Sequence, residues 1–305
     1  MKEIPYHRPY PLNHQDKSKI HARLNEVLFS GQLTNGRYVE KLEGKIKEMY
    51  DVKYVLATSS CTMGLMICLE FIPKEYYIQV PRFNWWSDLY LLQFLKKEIY
   101  WNDIDKDSWL PIEAYGGYSL YLNTFGNIGE SKRGEKAIYD SSHCLGVKLR
   151  EIGLATVFSL APTKLITSCE GGLIITNNEE LYEFAKERRD RMSRMSEINA
   201  IIGLQTLEHL DEILKWKKTG YHYYNAHLEG DFQKIPLRSN YNTIAFLNTE
   251  GYVIPEHIET KQYYHPLADI GIQNNVDYVY ENIIALPSGF GVDYEKIVED
   301  IKNAV

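Results

Sequence analysis

The chain has 305 residues, of which 44% are hydrophobic and 25% charged, a composition typical of a folded globular protein and not of a disordered one. It carries 34 Lys and Arg against 41 Asp and Glu. The resulting formal net charge of −7 argues against broad, non-specific binding to nucleic acid or to an anionic membrane surface. The length suits a large α/β domain followed by a smaller domain.

No two of the four cysteines have the C-x-x-C spacing of a metal or redox site; they are Cys61, Cys68, Cys144 and Cys169. We therefore expect reduced thiols and no metal. Residues 1–5 lack the apolar stretch of a secretory signal, which favours a cytoplasmic location. The most apolar long segment, residues 54–72, contains Glu70 and several hydroxyl side chains, so no membrane span is expected.

Hydrophobic periodicity predicts alternating helices and strands along the chain. Helices are predicted at residues 16–30, with Asp16 as the N-cap, and at 38–49, 62–71, 181–194, 197–227 and from 293 onward. Strands are predicted at residues 54–57, 77–80, 119–122, 137–140, 155–159, 173–176, 243–247 and 283–286. This alternation is typical of an α/β fold with a mostly parallel sheet. We expect a large domain over residues 1–215 and a small α+β domain over residues 216–305.

The first candidate site is the polar stretch between the strand at 54–57 and the helix after it. The free backbone N–H groups of a helix start, helped by the hydroxyls of Ser60 and Thr62, favour an anion such as phosphate. The alternative interpretation is an ordinary Ser/Thr N-cap without a ligand.

Two further candidates follow later strands. Asp140 ends a predicted strand and His143 comes directly after it, at the kind of strand end where open α/β sheets bind ligands. The alternative there is an Asp turn. Lys164 follows the strand at 155–159, where burial favours a neutral, nucleophilic amine, and residues 171–172 form a Gly-Gly turn. The alternative for this lysine is a solvated loop position.

The order of these features along the chain indicates one cofactor. An anion site comes first, then an aromatic segment at residues 83–86, then an aspartate, and then a lysine 24 residues later (164 − 140). Pyridoxal phosphate needs donors for its phosphate, a stacking partner for its ring, a carboxylate for its pyridine nitrogen and an amine for its aldehyde. The sequence therefore predicts a pyridoxal phosphate site.

The same segments resemble the DegT/StrS sugar-aminotransferase family of fold-type-I pyridoxal phosphate enzymes, from about Ile4 to the C-terminus. The matching segments are G-Q-L-T-N-G (31–36), S-C-T-M-G-L (60–65), V-P-R-F-N-W (80–85), D-S-S-H (140–143), S-L-A-P-T-K (159–164), E-G-G (170–172), R-M-S-E (194–197), Y-Y-H-P-L (263–267) and L-P (286–287). The resemblance implies a mostly parallel mixed sheet flanked by helices, with a small α+β C-terminal domain.

The resemblance also implies roles for residues around the cofactor ring. Lys164 would form the Schiff base and carry the catalytic proton between the amino donor and the cofactor. Asp140 would pair with the pyridinium nitrogen, Trp85 would stack on the ring, and His143 would lie near the phenolic oxygen.

For the cofactor phosphate, the resemblance implies Ser159, Thr62 and the backbone at Cys61. The chain departs from the family here: Cys61 and Cys169 stand where the family usually has Gly. Met192 stands where it has an Asn that reaches the phosphate of the partner subunit's cofactor, so one phosphate donor is expected to be missing.

By resemblance we expect a homodimer that moves an amino group from L-glutamate to a keto group of a nucleotide-linked deoxysugar. Two alternatives stay open. Some relatives dehydrate keto-deoxysugars, but they carry His at the position of Lys164, which disfavours that activity. The other is a trimmed, non-catalytic homologue that binds or regulates. It is favoured by Cys61, by Met192 and by the shortness of residues 173–193 and 251–258, whose longer counterparts wall the acceptor pocket.

Overall fold

The computed structural model of the chain describes residues 3–271 and 274–304. Its helices are α1 His14–Ser30, α2 Arg37–Tyr50, α3 Cys61–Phe71, α4 Trp86–Phe94, α5 Glu179–Met192, α6 Glu197–Leu207, α7 Leu210–His227, α8 Asn275–Asn282 and α9 Tyr294–Asn303. Its strands are β1 Tyr54–Thr58, β2 Ile78–Pro81, β3 Phe83–Asn84, β4 Ile99–Asn102, β5 Tyr118–Leu122, β6 Ala137–Asp140, β7 Ala155–Ser159, β8 Gly172–Thr176, β9 Asp231–Phe232, β10 Ile244–Leu247, β11 His265–Pro266 and β12 Ile283–Leu286. Within these ranges, each helix is too short or too polar to cross a membrane.

Seven strands form the central sheet in the order β1-β8-β7-β6-β5-β2-β4. Five neighbouring strands run parallel: β7, β6, β5, β2 and β4. Strand β8 is antiparallel to both of its neighbours, β1 and β7. Strands β7 and β8 are buried along their whole length. They are buried because α1, α2 and α6 pack against one face of the sheet and α3, α4 and α5 against the other. The predicted α/β class with a mostly parallel sheet is therefore confirmed.

A second, three-stranded antiparallel sheet is formed by β9, β10 and β12 near the C-terminus. Apolar side chains of α7 and α9 cover it and form their own hydrophobic cluster. Between the two sheets, β11 pairs antiparallel with β3, so that His265 lies opposite Asn84. The predicted domain boundary after residue 215 falls inside α7 and stays a prediction.

Two local predictions were wrong. The first helix is capped by Asn13 and not by Asp16, which instead closes a capping box by accepting the Asn13 N–H at 2.9 Å. The predicted helix over 197–227 is two helices separated at Glu208 and His209. They separate because α6 packs beneath α1 and α2 on the central sheet, whereas α7 continues to the small sheet. A single periodic pattern does not record this change of packing partner.

Glu197 joins two helices that are far apart in the sequence, α2 and α6. In the first turn of α6, its carboxylate accepts the backbone N–H groups of Gly36, Tyr38 and Val39 at 2.8 to 2.9 Å. Helix α2 begins after Gly36, which has no side chain for capping, so Glu197 supplies the cap. A Cβ at Gly36 would lie 2.6 Å from Gln32 Cγ and 3.1 Å from Glu197 Cδ, which explains the glycine.

We expect Glu197→Ala to lower the free energy of unfolding by about 3 kcal/mol, because buried N–H groups lose a charged acceptor. The matched control is Glu48→Ala on α2, whose exposed carboxylate forms only a helix-surface pair with Lys45. That control should cost less than about 0.5 kcal/mol. Denaturant unfolding of both variants measures the difference, and equal losses would contradict the capping role of Glu197.

Candidate functional site

A cavity of about 240 Å³ lies at the carboxyl ends of β1, β6 and β7. This is the edge of the sheet where side chains that follow parallel strands converge. The structure brings all seven residues predicted from the sequence together in its wall: Cys61, Thr62, Trp85, Asp140, His143, Ser159 and Lys164.

The start of α3 forms one wall of the cavity. Ser60 is the N-cap, and its hydroxyl accepts the Met63 N–H at 3.2 Å. The N–H groups of Cys61 and Thr62, at the first two helical positions, have no carbonyl partner within the helix. A helix start with free N–H groups beside two hydroxyl side chains is suited to a phosphate.

Gly172, the first residue of β8, lets this helix start approach the sheet. A Cβ at this position would lie 2.5 Å from Ser60 C and from Cys61 N. Both are backbone atoms and cannot move aside without moving the start of α3. The second glycine of the E-G-G segment is therefore required by close backbone contact.

The two cysteines at family glycine positions differ in conformation. Cys61 is the first residue of α3 and is helical, so its Cβ causes no backbone strain. Burial raises the pKa of its thiol well above the usual value, and Asp140 adds to the shift. Cys169 has φ of 68°, the left-handed conformation that favours glycine, so of these two cysteines only Cys169 has a backbone conformation that a Cβ disfavours.

Asp140 and Lys164 supply the opposite charges of the cavity. Asp140 ends β6 with only 3% of its surface exposed, and its Oδ1 accepts the Ser142 N–H at 2.9 Å. Burial raises the pKa of Asp140, and the Ser142 hydrogen bonds and Lys164 oppose that shift. Lys164 lies in the turn after β7; burial of its amine lowers its pKa, and Cys61 and Asp140 oppose the change. Each charge thus reduces the cost of burying the other.

His143 is held in place by groups far away in the sequence. Its Nδ1 lies 3.0 Å from Tyr264 Oη, its backbone oxygen accepts from Asn240 Nδ2 at 2.6 Å, and its ring stacks near Phe125. Burial lowers the pKa of His143 well below its usual value, and Lys164 adds to the effect. Burial also raises the pKa of the Tyr264 phenol. The cavity therefore presents a neutral imidazole whose orientation is set by a neutral phenol.

Trp85 forms the aromatic wall at the mouth of the cavity. It precedes α4, and 43% of its surface is exposed. Its ring lies 5.7 Å from that of Tyr263, at an angle of 57°. Both aromatic rings border the cavity, which leaves the exposed Trp85 ring available to stack on a bound ring.

The sequence argument did not select several other residues of the cavity wall, among them Ser87, Ser142, Glu170, Tyr263 and Tyr264. A signal existed for the two tyrosines, because they stand in the Y-Y-H-P-L segment. Their place at the cavity follows from the pairing of β3 with β11, which joins residues 181 positions apart (265 − 84).

The profile of the DegT/DnrJ/EryC1/StrS aminotransferase family matches residues 14–115 and 110–304. The chain belongs to this family. Membership confirms the resemblance seen in the sequence motifs, and with it pyridoxal phosphate as the predicted cofactor.

Solved structures of similar fold cover almost the whole chain. A Helicobacter pylori aminotransferase of pseudaminic acid biosynthesis, PseC, has a TM-score of 0.86 at 20% identity, over 99% of this chain and 98% of its own. DesI, solved in the presence of its TDP-sugar product, has a TM-score of 0.83 at 17% identity, over 99% and 91%. The E. coli GDP-4-keto-6-deoxy-D-mannose-3-dehydratase with bound hydrated PLP has a TM-score of 0.82 at 18% identity, over 99% and 100%. These matches confirm the fold-type-I architecture.

The residues of the cavity fit pyridoxal phosphate. The start of α3 offers free N–H groups to the phosphate, and Asp140 keeps acceptor capacity beyond its bond from Ser142. Lys164 lines the same cavity with an amine whose lowered pKa favours the nucleophilic form.

We expect Gly172→Ala to lower the free energy of unfolding by about 1–3 kcal/mol and to weaken pyridoxal phosphate binding, because the new Cβ displaces the start of α3. Gly44→Ala on α2 is the matched control, since a Cβ there meets nothing within 4 Å. That control should stabilise the protein by about 0.5–1 kcal/mol. Thermal unfolding and cofactor titration measure both effects. Cofactor affinity in Gly172→Ala equal to that of the control would show that the close contact does not shape the site.

Proposed function

We propose that this family member is a pyridoxal phosphate-dependent aminotransferase that moves the amino group of L-glutamate to a keto group of a nucleotide-linked deoxysugar. The observation that carries the proposal is that Lys164 and Asp140 face one buried cavity beside the free N–H groups of a helix start. When bound, the cofactor supplies an electron sink that makes the Cα proton of an amino acid acidic.

The side chains of the cavity would transfer the proton and bind the ring and the phosphate of the cofactor. Lys164 Nζ, in its neutral form, would accept the proton from the donor Cα and pass it on to the cofactor. Asp140 would keep the ring nitrogen protonated by charge pairing. Trp85 would stack on the ring, and His143 would orient it from the side of the phenolic oxygen. Ser159, together with the start of α3, would bind the phosphate.

Two observations support a nucleotide-sugar acceptor: the family to which the chain belongs, and two solved structures of similar fold. The DesI structure was solved in the presence of its TDP-sugar product, and PseC is an aminotransferase involved in the biosynthesis of pseudaminic acid. Glu170, Tyr263 and Trp85 border the mouth of the cavity in this chain, and aromatic and polar groups together suit a sugar.

Both alternatives remain as outcomes of the test. A dehydratase has a similar fold, at 18% identity. The lysine at position 164 favours amino transfer over dehydration, because an amine can take part in the covalent exchange of amino groups that transamination requires. A non-catalytic homologue would not need Lys164 and Asp140 to line the same cavity.

We expect the purified holoenzyme to lose its visible absorbance when L-glutamate is added and to release 2-oxoglutarate. Lys164→Ala should reduce turnover by at least about 10³-fold, because the covalent link to the cofactor and the proton carrier are both lost. Lys164→Arg, which keeps the charge, should be equally inactive, and Lys45→Ala, at an exposed position, should keep full activity.

Full activity in Lys164→Ala would refute the assignment. Dehydration of a keto-deoxysugar without amino transfer would instead favour the dehydratase alternative. No reaction with glutamate or with a panel of keto-sugars would favour the non-catalytic one.

We also propose that the protein is a homodimer. Phe29, at the end of α1, is 96% exposed, and the apolar side chains of Leu33, Met192 and Ile198 are exposed as well. These segments lie together, because the Leu33 carbonyl accepts the Glu197 N–H at 2.9 Å. An exposed apolar surface of this kind is typical of a protein interface. Met192 is also where the family places a residue that reaches the partner's cofactor phosphate.

We expect Phe29→Glu to weaken the dimer by about tenfold or more, because a charge would be buried at the interface. Tyr115→Glu is the control, since Tyr115 is 88% exposed and lies elsewhere in the chain. Light scattering across a dilution series measures both. Equal dimer stability in the two variants would place the interface on another surface.

A further inference from the structure

A second buried carboxyl group lies behind Asp140. Asp88, in the first turn of α4, is fully buried and does not line the cavity. Its Oδ2 accepts no hydrogen bond within the described residues. The Ser87 hydroxyl, 3.4 Å from Oδ1, and the Asn84 side chain are the groups that favour its charged form. A buried carboxyl group with so few donors is costly to ionise.

Helix capping does not explain this aspartate. An acidic residue at the third position of a helix usually accepts the N–H of the N-cap residue. In α4 that N–H, from Trp85, instead donates to Asn84 Oδ1 at 2.7 Å. The Asp88 carboxyl group is therefore left to interact with the end of the sheet.

Asp88 and Asp140 interact through their side chains, and this interaction raises the pKa of Asp88 and lowers that of Asp140. Two carboxyl groups in contact and away from water cannot both be ionised, so they share one proton. Asp140 receives the Ser142 N–H and lies near the Lys164 cation, and both favour its charged form. Asp88 has no backbone donor or cation to favour its charge, only the Asn84 and Ser87 side chains, and burial together with Asp140 raises its pKa well above the usual value. The proton therefore resides on Asp88.

The other titratable groups around Asp88 and Asp140 do not change which of the two carries the proton. Burial keeps the Cys61 and Cys144 thiols and the Tyr264 phenol neutral, because it raises the pKa of each. His143, with its lowered pKa, is neutral as well. Lys164 is then the cation that favours the charged form of Asp140, in a pair that carries a single negative charge.

We propose that Asp88 is a neutral carboxylic acid that donates a hydrogen bond to the Asp140 carboxylate and thereby positions Asp140 for the ring nitrogen of the cofactor. The inference rests on the proposed function for the identity of that ring. A carboxylate has about four acceptor sites, so bonds from Asp88 and from the Ser142 N–H leave room for a ring N–H. Asp88 itself acts only through Asp140 and is a positioning residue.

Two variants of nearly the same size separate the hydrogen bond from packing. Asp88→Asn keeps an N–H donor toward Asp140, whereas Asp88→Leu keeps only the shape. We expect Asp88→Leu to weaken pyridoxal phosphate binding by about tenfold or more and Asp88→Asn to weaken it several-fold less, because a donor to a charged acceptor is kept only in the second. Equal losses in the two variants would overturn the positioning role.

Infrared spectroscopy tests the protonation state without relying on activity or on the folding of Asp88→Leu. The wild-type protein, with and without cofactor, should show the carbonyl band of a buried carboxylic acid at neutral pH, and Asp88→Asn should lack it. Absence of the band in the wild type, or its persistence in Asp88→Asn, would overturn the proposal. The band in the cofactor-free protein does not depend on transamination, so a failure of the proposed function would be recognised separately.

Discussion

The burial of opposite charges at one edge of the sheet is the constraint on which the site depends. Asp140 ends β6 and Lys164 follows the neighbouring parallel strand β7, and burial shifts the pKa of each group toward its neutral form. Burial alone would neutralise both groups, and their mutual attraction opposes this. The result is a carboxylate that stays available for a cationic ring and an amine that gives up its proton more readily than an exposed lysine. Both properties follow from strand ends that lie side by side.

Groups from distant parts of the chain hold this arrangement in place. Asn240 lies just before β10 and holds the turn after β6 in place. Its side-chain amide donates hydrogen bonds to the backbone oxygens of His143 and Leu145. Gly126 allows that approach, because a Cβ there would lie 2.0 Å from Asn240 Oδ1. The small sheet therefore stabilises the cavity through direct hydrogen bonds to the loop that carries His143. A change of position between the two sheets would move this loop.

The sequence could predict those features of the fold and the site that depend on local order. Each predicted cavity residue follows a strand or begins a helix, and strand ends are recognisable from apolar runs that stop at polar residues. The place of Tyr264 at the cavity and the break before α7 were not predicted from the sequence. Both depend on packing between segments that are far apart in the sequence. Asp88 gave no usable signal, because an acidic residue in a first helical turn is ordinarily a capping group.

The glycines around the proposed phosphate site show where backbone space is needed. The family usually has glycine at position 61, yet Cys61 fits here because it is helical and its side chain packs into the apolar cluster under α3. The unavoidable glycine is Gly172 on the facing strand, where the backbone of residues 60 and 61 comes within 2.5 Å of a Cβ position. Space at this helix start is therefore supplied by the strand that it contacts. A phosphate bound to the N–H groups of Cys61 and Thr62 would depend on β8 as much as on the loop that provides those groups.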